Sequence, residues 1–98
     1  MNGPVASCTG LIGQRRSLLI VSDALSGVSR FDDFRARLGI SASTLTRRLN
    51  DLVDAGVLER VPYQLHPPRS DYQLTEKGQD LRLVVTMMEQ WEDRWTVP

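Results

Sequence analysis

Apolar residues return every three or four positions in the first half of the chain, a spacing that predicts amphipathic helices. A first helix is predicted over about residues 15–25. A second helix is predicted by Phe31, Phe34 and Leu38, and Gly39 supplies the left-handed residue that commonly ends a helix. The pattern therefore predicts two short helices in succession, joined by a short loop.

The third predicted helix begins only three residues after the second one ends. Ser41 is a suitable N-cap, because its hydroxyl can accept a hydrogen bond from an unpaired backbone N–H. Leu45, Leu49 and Leu52 then form the apolar stripe of a helix over about residues 41–55. Two helices joined so tightly must cross at a steep angle, which predicts a helix-turn-helix.

Alternating apolar positions after the third helix predict a β-hairpin. The strands are expected over residues 57–65 and 70–74. Between them, residues 66–69 include two prolines, which cannot continue a strand ladder, so a turn is predicted there. A hairpin in this position corresponds to the wing of a winged helix-turn-helix.

Thr75 is predicted to cap one final helix, which has apolar side chains on more than one face. The rest of a chain this small cannot bury all of these side chains, and one face is therefore expected to pack on a second copy. The alternative is a wide apolar stripe buried in a single core. The predicted dimer interface consists of Leu81, Val84, Met88, Trp91 and Trp95.

Length and composition indicate one small globular domain of 98 residues, 41% of them hydrophobic. We divide it into an N-terminal arm with a short helix (1–14), a winged helix-turn-helix core (15–75) and a dimerisation helix (76–98). The predicted fold class is mainly α with a small β-hairpin (α+β), dimerising through the terminal helices. No apolar run approaches the roughly 20 residues that cross a bilayer, and no signal peptide is recognised, so we expect a cytoplasmic protein without membrane contact.

Charge is unevenly distributed although the formal net charge is zero. Residues 1–70 contain nine arginines and six acidic residues, whereas residues 71–98 contain three basic and six acidic residues. Positive charge therefore gathers in the part that contains the helix-turn-helix. This polarity is compatible with binding to double-stranded DNA, because the distribution of charge matters more than the total.

The N-terminal half of the 41–55 helix carries most of the predicted DNA contacts, since this half enters the major groove in helix-turn-helix proteins. Arg47 could bond guanine with two donors, and Arg48, at the edge of the apolar stripe, is expected on a phosphate. Arg69 at the wing tip is expected to enter the minor groove or contact phosphate. The alternative is a solvated helix face and an exposed turn arginine. Hydroxyl contacts are predicted for Ser41, Ser43, Thr44 and Thr46.

Catalytic chemistry is not indicated anywhere in the chain. The sequence contains no Ser/His/Asp set, no phosphate-binding glycine loop and no metal-ligand cluster, so neither an enzyme nor a cofactor is expected. The single cysteine, Cys8, fits a reducing compartment. It could be a redox sensor if Arg15 or Arg16 favours its thiolate, or it could be an incidental residue of the arm.

Several strings taken in order resemble the HxlR family of winged helix-turn-helix regulators, and the match extends over about residues 18–95. The strings are SRFDDF, GIS, LTRRL, GVLER, PPR, LTEKG and DRW. The resemblance implies homodimeric bacterial DNA-binding regulators, often repressors, paired through N- and C-terminal helices. Some members sense oxidants or electrophiles through a cysteine near the N-terminus. One departure is Arg16, which stands where the family usually has tryptophan.

Together these features predict a homodimeric, sequence-specific transcriptional repressor that binds a pseudo-palindromic operator. Its partners would be double-stranded DNA and a second copy, with a small-molecule or oxidant effector left open. One alternative is a winged-helix dimer that binds proteins rather than DNA, which the neutral net charge favours. The other is a redox or electrophile sensor that acts through Cys8.

Overall fold

Five helices and one β-hairpin follow one another in the computed structural model, which describes residues 15–66 and 68–95. Three helices come first, then the hairpin, then two further helices. This order is a winged helix-turn-helix, as the sequence predicts. The elements are α1 (Arg15–Leu25), α2 (Phe31–Leu38), α3 (Ala42–Asp54), β1 (Leu58–Leu65), β2 (Pro68–Leu74), α4 (Glu76–Gln79) and α5 (Leu81–Trp95).

The tight turn between α2 and α3 has the local chemistry that the sequence predicts. Gly39 adopts the left-handed conformation with φ 62°, and its N–H donates to the carbonyl of Arg35. Ser41 is extended, and its hydroxyl accepts from the backbone N–H of Thr44 at 3.2 Å. Because both ends of the turn are capped within the turn itself, α3 begins in a fixed direction relative to α2.

The core lies where α1, α2 and α3 meet the base of the hairpin. Phe34 of α2 is fully buried, as are the three leucines of the predicted α3 stripe. Burying one such side chain stabilises the fold by about 1.5–3 kcal/mol. With these contacts the apolar face of α3 is completely covered, so its opposite face is directed to solvent. The buried core also includes Ile20, Val21, Val57, Leu58 and Val85.

The wing is a two-stranded antiparallel hairpin with a register irregularity between Pro62 and Gln64. Its turn is shorter than the predicted 66–69 segment, because Pro68 and Arg69 belong to β2 and pair with Leu65 and Gln64. Proline lacks an N–H but is tolerated as the first residue of a strand. The prediction of a four-residue turn was therefore wrong.

The predicted single C-terminal helix is divided into α4 and α5 at Asp80, whose N–H donates to the carbonyls of Glu76 and Gly78. The division follows from what each helix contacts. Thr75 donates to the carbonyl of Gly56, and Lys77 Nζ lies 2.7 Å from the carbonyl of Ala55, so α4 is attached to the junction of α3 and β1. In contrast, α5 packs along α1.

The contact between α5 and α1 buries Val85 and is accompanied by polar links at the surface. Ser22 Oγ donates to Glu89 at 3.4 Å, and Arg82 reaches the carbonyl of Leu25 at 3.5 Å. These contacts place the C-terminal helix on the side of the domain formed by α1. Within residues 15–66 and 68–95, no helix is long and apolar enough to span a membrane.

Candidate nucleic-acid interface

The solvent face of α3 presents the central residues of the predicted DNA-reading set. Ser43, Thr46 and Arg47 are exposed, on the side of the helix away from the buried leucines. An α-helix that is covered on one face only can enter a major groove with the other. The structure therefore brings these three predicted residues together on one accessible surface.

Ser41 and Thr44 lie at the same helix start, but their hydroxyls bond to each other. Ser41 Oγ donates to Thr44 Oγ1 at 2.9 Å while it accepts from the Thr44 N–H. Ser43 Oγ lies 3.3 Å from Ser41 Oγ. Ser41 and Thr44 are therefore engaged in forming the first turn of α3, and the hydroxyl of the exposed Ser43 also bonds to Ser41.

Arg48 occupies the flank of α3 rather than its exposed face. Its side chain is 24% exposed, and its guanidinium lies 3.5 Å from the carboxylate of Asp51 in the next turn. An arginine held along the side of the helix is positioned to contact a DNA phosphate rather than a base at the centre of the major groove. This position agrees with the phosphate contact predicted for Arg48, which stays a prediction.

Arg69 is exposed on the wing and shares a cleft with Thr46 of α3. The cleft is about 560 Å³ in volume and separates the wing from α2 and α3. Asp32 and Asp33 line its α2 side together with Arg30, so the cleft has charged side chains of both signs. The wing and the exposed face of α3 thus lie on either side of one cleft.

Two arginines that the sequence interpretation left out connect the wing to the helices. Arg30 stacks over the ring of Tyr63 and pairs with Asp71. Arg60 of β1 donates a hydrogen bond to the side-chain oxygen of Asn50 on α3. Each partner is distant along the chain, so no local spacing in the sequence could have indicated these contacts.

The residues predicted for dimerisation have unequal surroundings. Leu81 packs against the core of its own domain, because it is the first residue of α5 and follows the anchored α4. On α5 the buried residue is Val85 and not Val84. Met88, Trp91 and Trp95 are exposed, at 40%, 64% and 67%. They continue an apolar surface with Leu19, Leu83 and Met87, which are also exposed.

This apolar surface borders a groove of about 870 Å³ between α1 and α5. Val84 and Met88 line it, as do Leu83 and Met87, which are outside the predicted dimer interface. Cys8 and the rest of the arm lie outside the described residues, so the redox assignment stays a prediction. In residues 15–66 and 68–95, no group of three potential metal-binding side chains occurs.

Comparison with known proteins gives the same interpretation of the fold. A family model described as HxlR-like helix-turn-helix matches residues 11–98. The HTH-type transcriptional regulator Rv3095 of Mycobacterium tuberculosis (strain H37Rv) is 44% identical over 85 residues, which are 87% of this chain and 54% of that protein. The chain thus spans about half the length of the mycobacterial relatives that it matches.

Two solved structures share the architecture. The transcription factor PA1607 superposes with a TM-score of 0.90 and is 35% identical, with 98% of this chain and 67% of that chain covered. The redox regulator HypR in its reduced form has a TM-score of 0.85 and 30% identity, covering 94% and 92%. These relatives are regulators and not enzymes, in agreement with the prediction from sequence. The chain belongs to the HxlR-like helix-turn-helix family.

Proposed function

We propose that the chain is the DNA-reading part of a sequence-specific transcriptional regulator. The observation that carries this proposal is the exposed polar face of α3, with Ser43, Thr46 and Arg47, beside a wing that presents Arg69. On DNA, α3 would lie in the major groove while the wing follows the adjacent backbone.

Some of these side chains are suited to recognising bases, and others to positioning the protein on the DNA backbone. Arg47 has a planar guanidinium that can donate two hydrogen bonds to the O6 and N7 atoms of guanine. Ser43 and Thr46 have short hydroxyls that reach base edges or nearby phosphates. Arg69 would neutralise a phosphate and so determine how far the wing approaches the duplex.

A homodimer would supply two copies of α3 to a pseudo-palindromic operator. The exposed apolar surface along α1 and α5 supports this assembly, because a contiguous apolar patch of this kind is typical of an interface. Half-sites one helical turn apart, about 34–36 Å, are the spacing that two symmetric reading helices contact. The family resemblance favours repression over activation as the outcome of binding.

The test is selection of bound duplexes from a random DNA pool, followed by titration of the enriched operator. Arg47→Ala is expected to weaken operator binding by about 1–3 kcal/mol and to relax the preference at one base pair. Arg94→Ala is the matched control, since it removes another exposed arginine, from α5. Failure to enrich any sequence would favour the protein-interaction alternative, and unchanged affinity in Arg47→Ala would refute the role of that residue.

The second candidate function is a regulator whose DNA binding is controlled by oxidation. Its support is the 30% identity to a protein named as a redox regulator. Cys8 is the single cysteine of the chain and the candidate sensor. The measurement is operator affinity with and without a thiol oxidant, in wild type and in Cys8→Ser. An oxidant response that survives in Cys8→Ser would end this version while leaving DNA binding intact.

A further inference from the structure

The base of the wing is held to the loop before α2 by two consecutive residues. The carbonyl of Ser29 accepts a hydrogen bond from the N–H of Tyr72, at 2.7 Å. The guanidinium of Arg30 lies over the ring of Tyr63, 4.1 Å from its centroid, and its Nε is 3.4 Å from Asp71 Oδ1. Tyr63 belongs to β1 and Asp71 to β2, so both strands are connected to the same loop.

The ion pair within this attachment is partly buried. The Asp71 side chain is 21% exposed, and among the described residues its Oδ1 atom has no hydrogen-bond donor and no contact with solvent. Arg30 therefore supplies the counter-charge for a shielded carboxylate oxygen. The Arg30 side chain is 56% exposed, so salt screens the ion pair in part. The backbone hydrogen bond of Ser29 and the contact with the Tyr63 ring depend less on ionic strength.

The wing needs such an attachment, because the core holds only its base. Leu58 is the buried residue of β1, and the rest of that strand is exposed apart from the half-buried Val61. An isolated two-stranded hairpin is marginally stable in water. Core packing therefore leaves the direction of the outer wing undetermined. The contacts of Ser29 and Arg30 restrict it, together with the hydrogen bond from Arg60 of β1 to Asn50 on α3.

Arg30 also lines the cleft that separates Thr46 on α3 from Arg69 on the wing. We propose that Arg30 is a positioning residue, which holds the wing at the angle where Arg69 reaches the DNA backbone while α3 occupies the groove. The inference rests on the proposed DNA-binding function and adds a residue that acts through the wing. The Arg30–Asp71 pair, with Tyr63 beneath it, is called the wing clamp below.

A direct phosphate contact by Arg30 is the competing explanation, and Asp71→Asn separates the two. This change removes a negative charge near the DNA and keeps arginine at position 30. By Coulomb attraction alone the variant should bind DNA more tightly. If Asp71 holds the wing through Arg30, the same variant should bind more weakly. The two explanations thus differ in the sign of the effect.

The experiment uses the full chain and the operator obtained by selection, titrated at several salt concentrations. Asp71→Asn is expected to weaken binding by about twofold to tenfold, the cost of ordering one or two side chains on binding. Its salt slope should stay close to that of wild type, whereas Arg69→Ala lowers the slope by about one, because only Arg69→Ala removes the phosphate contact. The double variant should be no weaker than Arg69→Ala, since coupled residues are not additive.

Two controls keep the result specific. Asp54→Asn removes an exposed acidic charge from α3 outside the clamp, and it should bind equally or more tightly. In the free protein, the NMR signal of the Arg30 Nε–H should be displaced by the Tyr63 ring, and should move toward the random-coil position in Asp71→Asn. The displaced position of this signal should be retained in Tyr63→Phe, because the aromatic ring is preserved.

The outcomes distinguish the clamp from the function on which it rests. If wild type and Arg69→Ala behave as expected but Asp71→Asn binds as tightly as Asp54→Asn, the clamp is refuted and DNA binding stands. Additive losses in the double variant would also refute the clamp. If wild type selects no sequence at all, the proposed function fails, and the clamp falls with it.

Discussion

Ser41 organises the first turn of α3 through one hydroxyl group. That hydroxyl accepts from the Thr44 N–H and donates to the Thr44 hydroxyl, so it satisfies a backbone donor and orients a side chain at once. The neighbouring Ser43 points to the exposed face. Two serines two positions apart therefore have different tasks, one in building the helix and one in the proposed contact with DNA.

Replacing Ser41 by alanine should lower the free energy of unfolding by about 1 kcal/mol, because an unpaired N–H is left at the helix start. Ser43→Ala is the matched control and should change stability by less than about 0.5 kcal/mol, as exposed substitutions usually do. Urea unfolding monitored by circular dichroism measures both. Equal stability of the two variants would show that the cap contributes little to α3.

Among the secondary-structure elements, the short helix α4 connects the wing to α3. Gly78 is buried, and a β-carbon there would collide with the carbonyl oxygen of Val57 and approach the side chain of Leu74. Thr75 and Lys77 bond to backbone carbonyls at the end of α3 and the start of β1. These contacts hold α4 against the junction from which the wing emerges.

Gly78→Ala is therefore expected to destabilise the fold by about 1–3 kcal/mol, the usual cost of forcing extra volume into a packed site. The gain in helix propensity from alanine, about 1 kcal/mol, is too small to offset a collision with backbone. Gln79→Ala in the same helix is exposed and serves as the control. A thermal midpoint for Gly78→Ala at or above that of wild type would contradict the close contact.

At the scale of the whole molecule, residues 15–66 and 68–95 form two surfaces of opposite character. The exposed face of α3 is polar, whereas the surface along α1 and α5 exposes tryptophan, methionine and leucine. A small domain that leaves such side chains uncovered gains by burying them against a second copy. The proposed dimer therefore leaves both reading helices available for DNA.

Trp91→Glu should convert the dimer to monomer at micromolar concentration, because association would bury an unpaired charge. Sedimentation equilibrium measures the change, and affinity for a two-half-site operator should fall with it. Gln90→Glu adds the same charge to a neighbouring exposed position of α5 that does not line the groove. A Trp91→Glu variant with the mass of wild type would exclude this surface as the interface.

Much of the fold could be predicted from the chain, because the signals are local. The Gly39 turn, the Ser41 cap and the leucine stripe of α3 each depend on residues within one or two helical turns. For the same reason the exposed polar face of α3 followed from helical periodicity alone. The boundary errors, at Pro68 and Asp80, occur where contacts with other elements decide where an element starts or stops.

Tertiary structure alone decided which distant side chains meet. Arg30 reaches Tyr63 and Asp71 only because the hairpin folds back on the loop before α2. Likewise, the choice of Val85 for the core over Val84 depends on the angle at which α5 meets α1. Spacing along a chain specifies which residues share a face of one element. It carries no information about which face another element will cover, and that depends on packing.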